Sequence, residues 1–139
     1  MQIVTGAPML RYEYMPSDFN PMFLILGDGA DLLALSGLLA RFARHPERIA
    51  LGDHVPAFHA RTPLTIAPVD AEFGLRRMGE DFVWGLNAWQ AQNIADRIAA
   101  LAGRETTSGS DIFEIGSDGE IPVKVSRGEF TDDFLVSKR

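Results

Sequence analysis

The sequence predicts an α+β fold: a mainly antiparallel sheet of six to eight strands with two amphipathic helices packed on it. Three observations lead there. Short apolar or alternating runs recur between Gly, Pro, Asn and Asp clusters, which is the pattern of strands and turns. Two longer segments carry apolar residues at helical spacing behind a capping residue. The composition is that of a globular chain, with 46% hydrophobic and 23% charged residues, and 139 residues suit one domain spanning 1–139.

Residues 9–15 alternate apolar and polar side chains and include Tyr12 and Tyr14, as a half-buried strand requires, and Pro16 ends the run. Residues 22–26 are continuously apolar, which suits a central strand covered on both faces. Asp28 is a favourable N-cap with Asp31 three residues on, and Leu32, Leu35, Leu38, Leu39 and Phe42 form the apolar stripe of a helix over 29–44. Gly37 interrupts it, at a propensity cost of about 1 kcal/mol, which suggests close packing against a neighbour. Pro46 stops the helix.

Short strands are expected at 48–51 and 64–67, separated by an irregular stretch over 52–60. Two more, at 73–78 and 81–86, flank Gly79-Glu80 as a hairpin. Asn87 and Gln90 are spaced as a capping box for a second helix, whose stripe is Ala91, Ile94, Ile98 and Leu101 and whose end is Gly103. After a polar loop over 104–110, runs at 112–115 and 121–125 flank Gly116-Ser117-Asp118-Gly119 as another hairpin. Pro122 argues that its second arm lies at a sheet edge, since proline cannot donate to a ladder.

The two halves, about 8–68 and 72–127, read as a ββαββ pseudo-repeat with an offset of 59 residues. Asp28 then falls on Asn87, Leu35 on Ile94, Leu39 on Ile98 and Phe42 on Leu101. Amphipathic helices that follow apolar strands align on their core positions in any case, so the repeat is structural in what it implies.

Thirteen basic residues stand against 19 acidic ones, a formal charge of −6, with no Lys/Arg cluster able to neutralise several phosphates. Nucleic acid is thereby an unexpected partner. Runs such as 22–26 and 38–40 are too short to span a bilayer and no basic leader precedes them, so the expectation is a cytoplasmic chain with no membrane partner. The absence of cysteine removes thiolate catalysis, disulfides and cysteine-held metal, and no cofactor is implied.

Few motifs carry chemistry. Gly27-Asp28-Gly29 has the opening of a dinucleotide fingerprint, but Leu32 stands at the third glycine position and Asp28 places a carboxylate where an anion would sit, so turn plus N-cap is the better reading. His54 and His59, with Asp53 beside them, form the one histidine cluster, a spacing that fits no helix face and no known ligand motif. They read as surface or packed histidines, and no catalytic or metal-ligating residue is assigned, yet they remain the binding candidates of their loop. Trp84 and Trp89 bracket the start of the second helix, where indoles line a pocket or interface or join the core. Tyr12 and Tyr14 share one face of their strand, with the same two readings.

The stretch Val123-Lys124-Val125-Ser126-Arg127-Gly128-Glu129-Phe130, followed by Thr131-Asp132-Asp133, resembles small bacterial α+β proteins when taken with Phe23-Leu24-Ile25-Leu26-Gly27-Asp28 and the helical stripe Leu32, Leu35, Leu38, Leu39 and Phe42. These are immunity partners of polymorphic toxins and their relatives. The resemblance covers one strand, one helix and the last strand. It implies a protein that binds another protein through an acidic surface and has no chemistry of its own, and it assigns no binding residue. The expectation is therefore a non-enzymatic protein-binding module. The alternative is a small-molecule-binding protein or enzyme with a pocket between sheet and helices, to which Asp53, His54, His59, Trp84 and Trp89 would contribute. A homodimer formed through the strand edge at Pro122 is compatible with either.

Overall fold

The computed structural model describes residues 10–16, 21–54, 63–71, 73–103 and 109–128. Eight strands and two helices follow one another as β1 (Arg11–Met15), β2 (Met22–Gly27), α1 (Gly29–Arg44), β3 (Ile49–Ala50), β4 (Leu64–Pro68), β5 (Gly74–Met78), β6 (Asp81–Leu86), α2 (Ala88–Ala102), β7 (Gly109–Phe113) and β8 (Val123–Arg127). A short 3₁₀ turn, Leu51–Asp53, follows β3.

The strands form two four-stranded sheets, in the orders β1-β2-β8-β7 and β3-β4-β6-β5. Each is mixed, which corrects the expectation of one mainly antiparallel sheet. The outer pairs are antiparallel, but β2 runs parallel to β8 with Phe23 opposite Val123, and β4 runs parallel to β6 with Leu64 opposite Phe82. The reason is connectivity. In each half the helix carries the chain from one sheet to the other, so the strand pair before it and the pair after it never share a sheet.

One offset relates the inner strands and the helices of the two halves. β2 onto β6 and β4 onto β8 are both shifts of 59 residues, and Ser36 Oγ donates to the Ala95 carbonyl at the same separation, 2.7 Å away. Phe23 and Phe82, also one offset apart, meet ring to ring at 5.3 Å. These contacts mark a pseudo-twofold axis that passes through the helix pair and through the Phe23–Phe82 contact. The helices are antiparallel: their middles meet at Ser36 and Ala95, and a Cβ on Gly29 in the first turn of α1 would stand 3.3 Å from the Ala102 carbonyl oxygen in the last turn of α2.

Local chemistry explains both helices. In α1, Asp28 accepts from the Asp31 amide while Asp31 accepts from the Asp28 amide, both at 2.9 Å. In α2, Asn87 and Gln90 make the same reciprocal box at 2.8 and 3.0 Å. At the far end of α2, Arg127 Nη1 donates to the Leu101 and Ala102 carbonyls at 3.2 and 2.6 Å, placing a cation at the negative helix terminus.

The core is a single cluster fed by both helices and both sheets, including Phe23, Ile25, Leu35, Phe42, Trp84 and Ile98. The two central strands are buried on both faces: Leu24, Leu26 and Val83 are covered as fully as the side chains that point into the cluster. Tyr12 and Tyr14 belong to this interior rather than to a binding face. Tyr12 lies 6.1 Å from the Phe23 ring and Tyr14 4.9 Å from the Phe82 ring.

Other expectations need correction. β7 begins at Gly109, inside the stretch expected to be loop, because its antiparallel register with β8 extends from Gly109 opposite Arg127 to Phe113 opposite Val123. The connection between them spans 114–122 rather than a tight turn. Pro122 precedes an inner strand and does not mark an edge: it needs no amide there, and its carbonyl accepts from the Phe23 amide at 2.9 Å. The edge on which a homodimer was expected is thus occupied by β7. Gly37 is exposed, and a Cβ on it would meet nothing within 4 Å. No close packing requires a glycine at that site. Gly37→Ala is accordingly expected to stabilise the protein by about 0.4–1 kcal/mol, measured as a higher urea midpoint at unchanged slope.

Candidate functional site

A cleft of about 250 Å³ opens between α2, the β5–β6 pair and the segment from β7 into the 114–122 connection. Trp84 on β6 lies in its wall and is 2% exposed, while Trp89, in the first turn of α2, stands beside it 74% exposed. α2 adds Gln90, Asn93, Ile94 and Arg97, and the opposite side is Phe113, Glu114, Ile115 and Glu120.

The connection that closes one side is held to β5. The Ile121 amide donates to the Leu75 carbonyl at 2.9 Å, and Arg76 donates from Nη2 to Ser117 Oγ at 2.9 Å and from Nε to the Phe73 carbonyl at 3.1 Å. Its bend is organised by Glu120, whose carboxylate accepts from the amides of Ile115, Gly116 and Ser117 at 2.8 to 3.1 Å. Gly74 lets this carboxylate approach: its φ is +75°, and a Cβ there would overlap the Glu120 side chain.

Arg97 controls the other side. Its Nε and Nη2 grip Asp111 at 3.0 and 2.6 Å, Nη2 also donates to the Ile112 carbonyl at 3.3 Å, and the guanidinium lies 4.5 Å from the Phe113 ring centroid. Asp111 in turn accepts from the Ile112 amide at 2.9 Å. The two main-chain groups of Ile112 are therefore occupied on a strand with no neighbour beyond it in its sheet, which blunts the edge against adding a foreign strand.

Of the five residues singled out in the sequence, Trp84 and Trp89 come together on this cleft. Asp53 and His54 lie elsewhere, exposed at and just after the 3₁₀ turn, and His59 lies outside the described residues. No group of three His, Cys, Asp or Glu side chains arranged for a metal ion occurs among the described residues. The turn that carries Asp53 does act on the interior. Tyr12, whose hydroxyl would lie 3.5 Å from a Cβ on Gly52, has its pKa raised above the usual tyrosine value, first by burial and then by the negative charge of Asp53.

The sequence passed over Arg97, Asp111 and Glu120, and read Gln90 only as a cap. A signal existed in the 59-residue offset. Trp89, Gln90, Asn93 and Arg97 correspond to Ala30, Asp31, Ala34 and Leu38 of α1. Asp111 falls outside that offset and corresponds only by strand register, being opposite Val125 as Ile49 is opposite Ile66. Apart from Gln90, which stands for the polar Asp31, the cleft is where the second half replaces small and apolar residues of the first with aromatic and polar ones.

Two measurements follow. Because the native fold holds the Tyr12 proton more tightly than the unfolded chain, this contribution to stability is intact below pH ~10 and is lost as pH rises beyond it. Tyr12→Phe should therefore show a flatter alkaline decline in urea stability than the wild type. Arg97→Ala releases the Ile112 carbonyl and the Asp111 carboxylate together. It should bring concentration-dependent self-association in sedimentation velocity, with little change in melting temperature, since a pair this exposed contributes at most about 1 kcal/mol.

No family, curated protein or solved structure compared with this chain matches it.

Proposed function

We propose that this chain is a non-enzymatic protein-binding module and that the cleft beside α2 takes an anchoring side chain of its partner. The observation that carries the proposal is Trp89, an indole 74% exposed at the cleft mouth with Trp84 in the wall beneath it. Tryptophan in such a position loses a large apolar surface to water in the free protein and regains it on contact with a partner.

The size of the cleft supports a protein ligand. About 250 Å³ falls below the ~300–1,000 Å³ typical of pockets that enclose a whole small molecule. It suits one bulky side chain presented from outside. Two of the ionised groups beside it are committed to structure, Glu120 to three amides and Asp111 to Arg97 and the Ile112 amide. That commitment supports recognition over acid–base chemistry. Glu114 at the rim and Asp118 in the same connection are exposed, and the chain carries a charge of −6, so the favoured partner segment is apolar at its anchor and basic around it. The resemblance to immunity partners of polymorphic toxins points in the same direction.

A random linear peptide library displayed against the intact protein tests this reading. Enriched peptides should carry a large apolar residue flanked by Lys or Arg, and Trp89→Ala should weaken them at least tenfold, a loss of roughly 1.4 kcal/mol or more. The same variant should melt within about 2 °C of the wild type, because an indole this exposed adds little to folding. Enrichment indifferent to Trp89, together with a small molecule retained in native mass spectra, would replace this reading with small-ligand binding.

A further inference from the structure

We infer that the cleft reads the main-chain carbonyls of an extended partner segment, through a row of hydrogen-bond donors on α2 formed by Gln90, Asn93 and Arg97. The inference rests on the protein-binding reading and adds the chemistry by which the partner is held.

Gln90 is the first indication. It is 9% exposed and lines the cleft, and its Oε1 is fixed by accepting from the Asn87 amide at 3.0 Å. That bond settles which end of the side-chain amide is which, so Nε2 is the free end. Among the described residues Nε2 has no hydrogen-bond partner. Nε2 is thus the end of a largely buried side chain that is left open to the cleft, and its natural complement is an acceptor entering there. Capping does not require it, because Asp31 performs the same capping in α1 with no donor at all.

Arg97 gives the second. Nε and Nη2 are spent on Asp111 and Ile112, which locks the guanidinium plane, while Nη1 makes no hydrogen bond among the described residues. Because Asp111 already balances the charge, the remaining donor suits a neutral carbonyl better than a free carboxylate. Asn93 stands between them on the same face, half-buried, with its amide unbonded among the described residues.

The internal comparison makes the row specific to binding. At the equivalent places α1 carries Asp31, Ala34 and Leu38, and the same antiparallel pairing of helices forms regardless. The scaffold is thus built without donors in one half and with three in the other. Spacings of three and four residues place them along one side of α2, where successive carbonyls of an extended chain would reach them while its apolar side chain sits against Trp84 and Trp89.

The test uses a peptide selected as above, with its main-chain amides replaced one at a time by esters, whose carbonyls are weaker acceptors. Affinities are measured for the wild type, Gln90→Glu and Asn93→Ala. Gln90→Glu keeps the capping bond and removes the donor, and circular dichroism should show its helix content unchanged at the temperature of the binding measurement. Each substitution is expected to weaken the peptide about tenfold. One ester position should lose affinity in the wild type and lose nothing further in Gln90→Glu. If Gln90→Glu and Asn93→Ala bind as the wild type does while Trp89→Ala does not, the donor row is wrong and the protein-binding reading stands. If no peptide depends on Trp89, both fall.

Discussion

Everything in this molecule hangs on the parallel pairing of β2 with β8 and of β4 with β6. A parallel pair cannot be closed by a tight turn, so its strands must be brought together by something larger than a hairpin. For β2 and β8 that is both helices together with the whole of the other sheet, and for β4 and β6 it is β5, which lies on the far side of β6. Neither half owns a complete sheet, and the apolar central strands are covered only when both are present. The antiparallel helix pair, the Ser36–Ala95 bond and the Phe23–Phe82 contact then follow as the places where two equivalent halves meet.

The symmetry is kept where packing demands it and broken elsewhere. Both helices use reciprocal caps, and Phe23 and Phe82 serve each other as neighbours. At the far end of α2, by contrast, Arg127 reaches two carbonyls, whereas the corresponding residue of the first half is Pro68, which cannot. Around the cleft the departures are denser: Trp89 for Ala30, Arg97 for Leu38 and Asp111 for Ile49. One half thus supplies mostly interior, and the other supplies interior together with a recessed surface of distinct chemistry.

The helices were legible because their information is local. Asp28 with Asp31 and Asn87 with Gln90 announce the starts, and the stripes behind them need only a few turns of sequence. Strands β2, β4, β5 and β6 were legible for a similar reason, as short apolar runs between turn residues. The antiparallel pairings of β5 with β6 and of β7 with β8 were legible from the turn residues between them, but the parallel pairings were not, since alternation records which residues are buried and not which strand lies alongside. Pro122 illustrates this: a proline next to a strand looks like an edge signal, yet it sits just before an inner strand and offers only a carbonyl. Gly37 was misread because helix propensity records a cost without showing whether a neighbour demands it. At the cleft, Trp84 and Trp89 drew notice as large aromatics. Arg97 and Asp111, 14 positions apart on different elements, had nothing in their local sequence to link them.

The parallel pairs also impose an order of events on synthesis. Phe23 must wait for Val123, about 100 positions later, before its strand gains its inner neighbour. The sheet containing β4 and β6 can close much sooner, since Leu64 needs only Phe82. Contacts this distant along the chain slow folding, and until they form, the apolar β2 strand leaves the ribosome with one side unpaired. The apolar strand β2 therefore emerges early and its inner partner β8 much later, so a nascent-chain chaperone would have its longest task at residues 22–27.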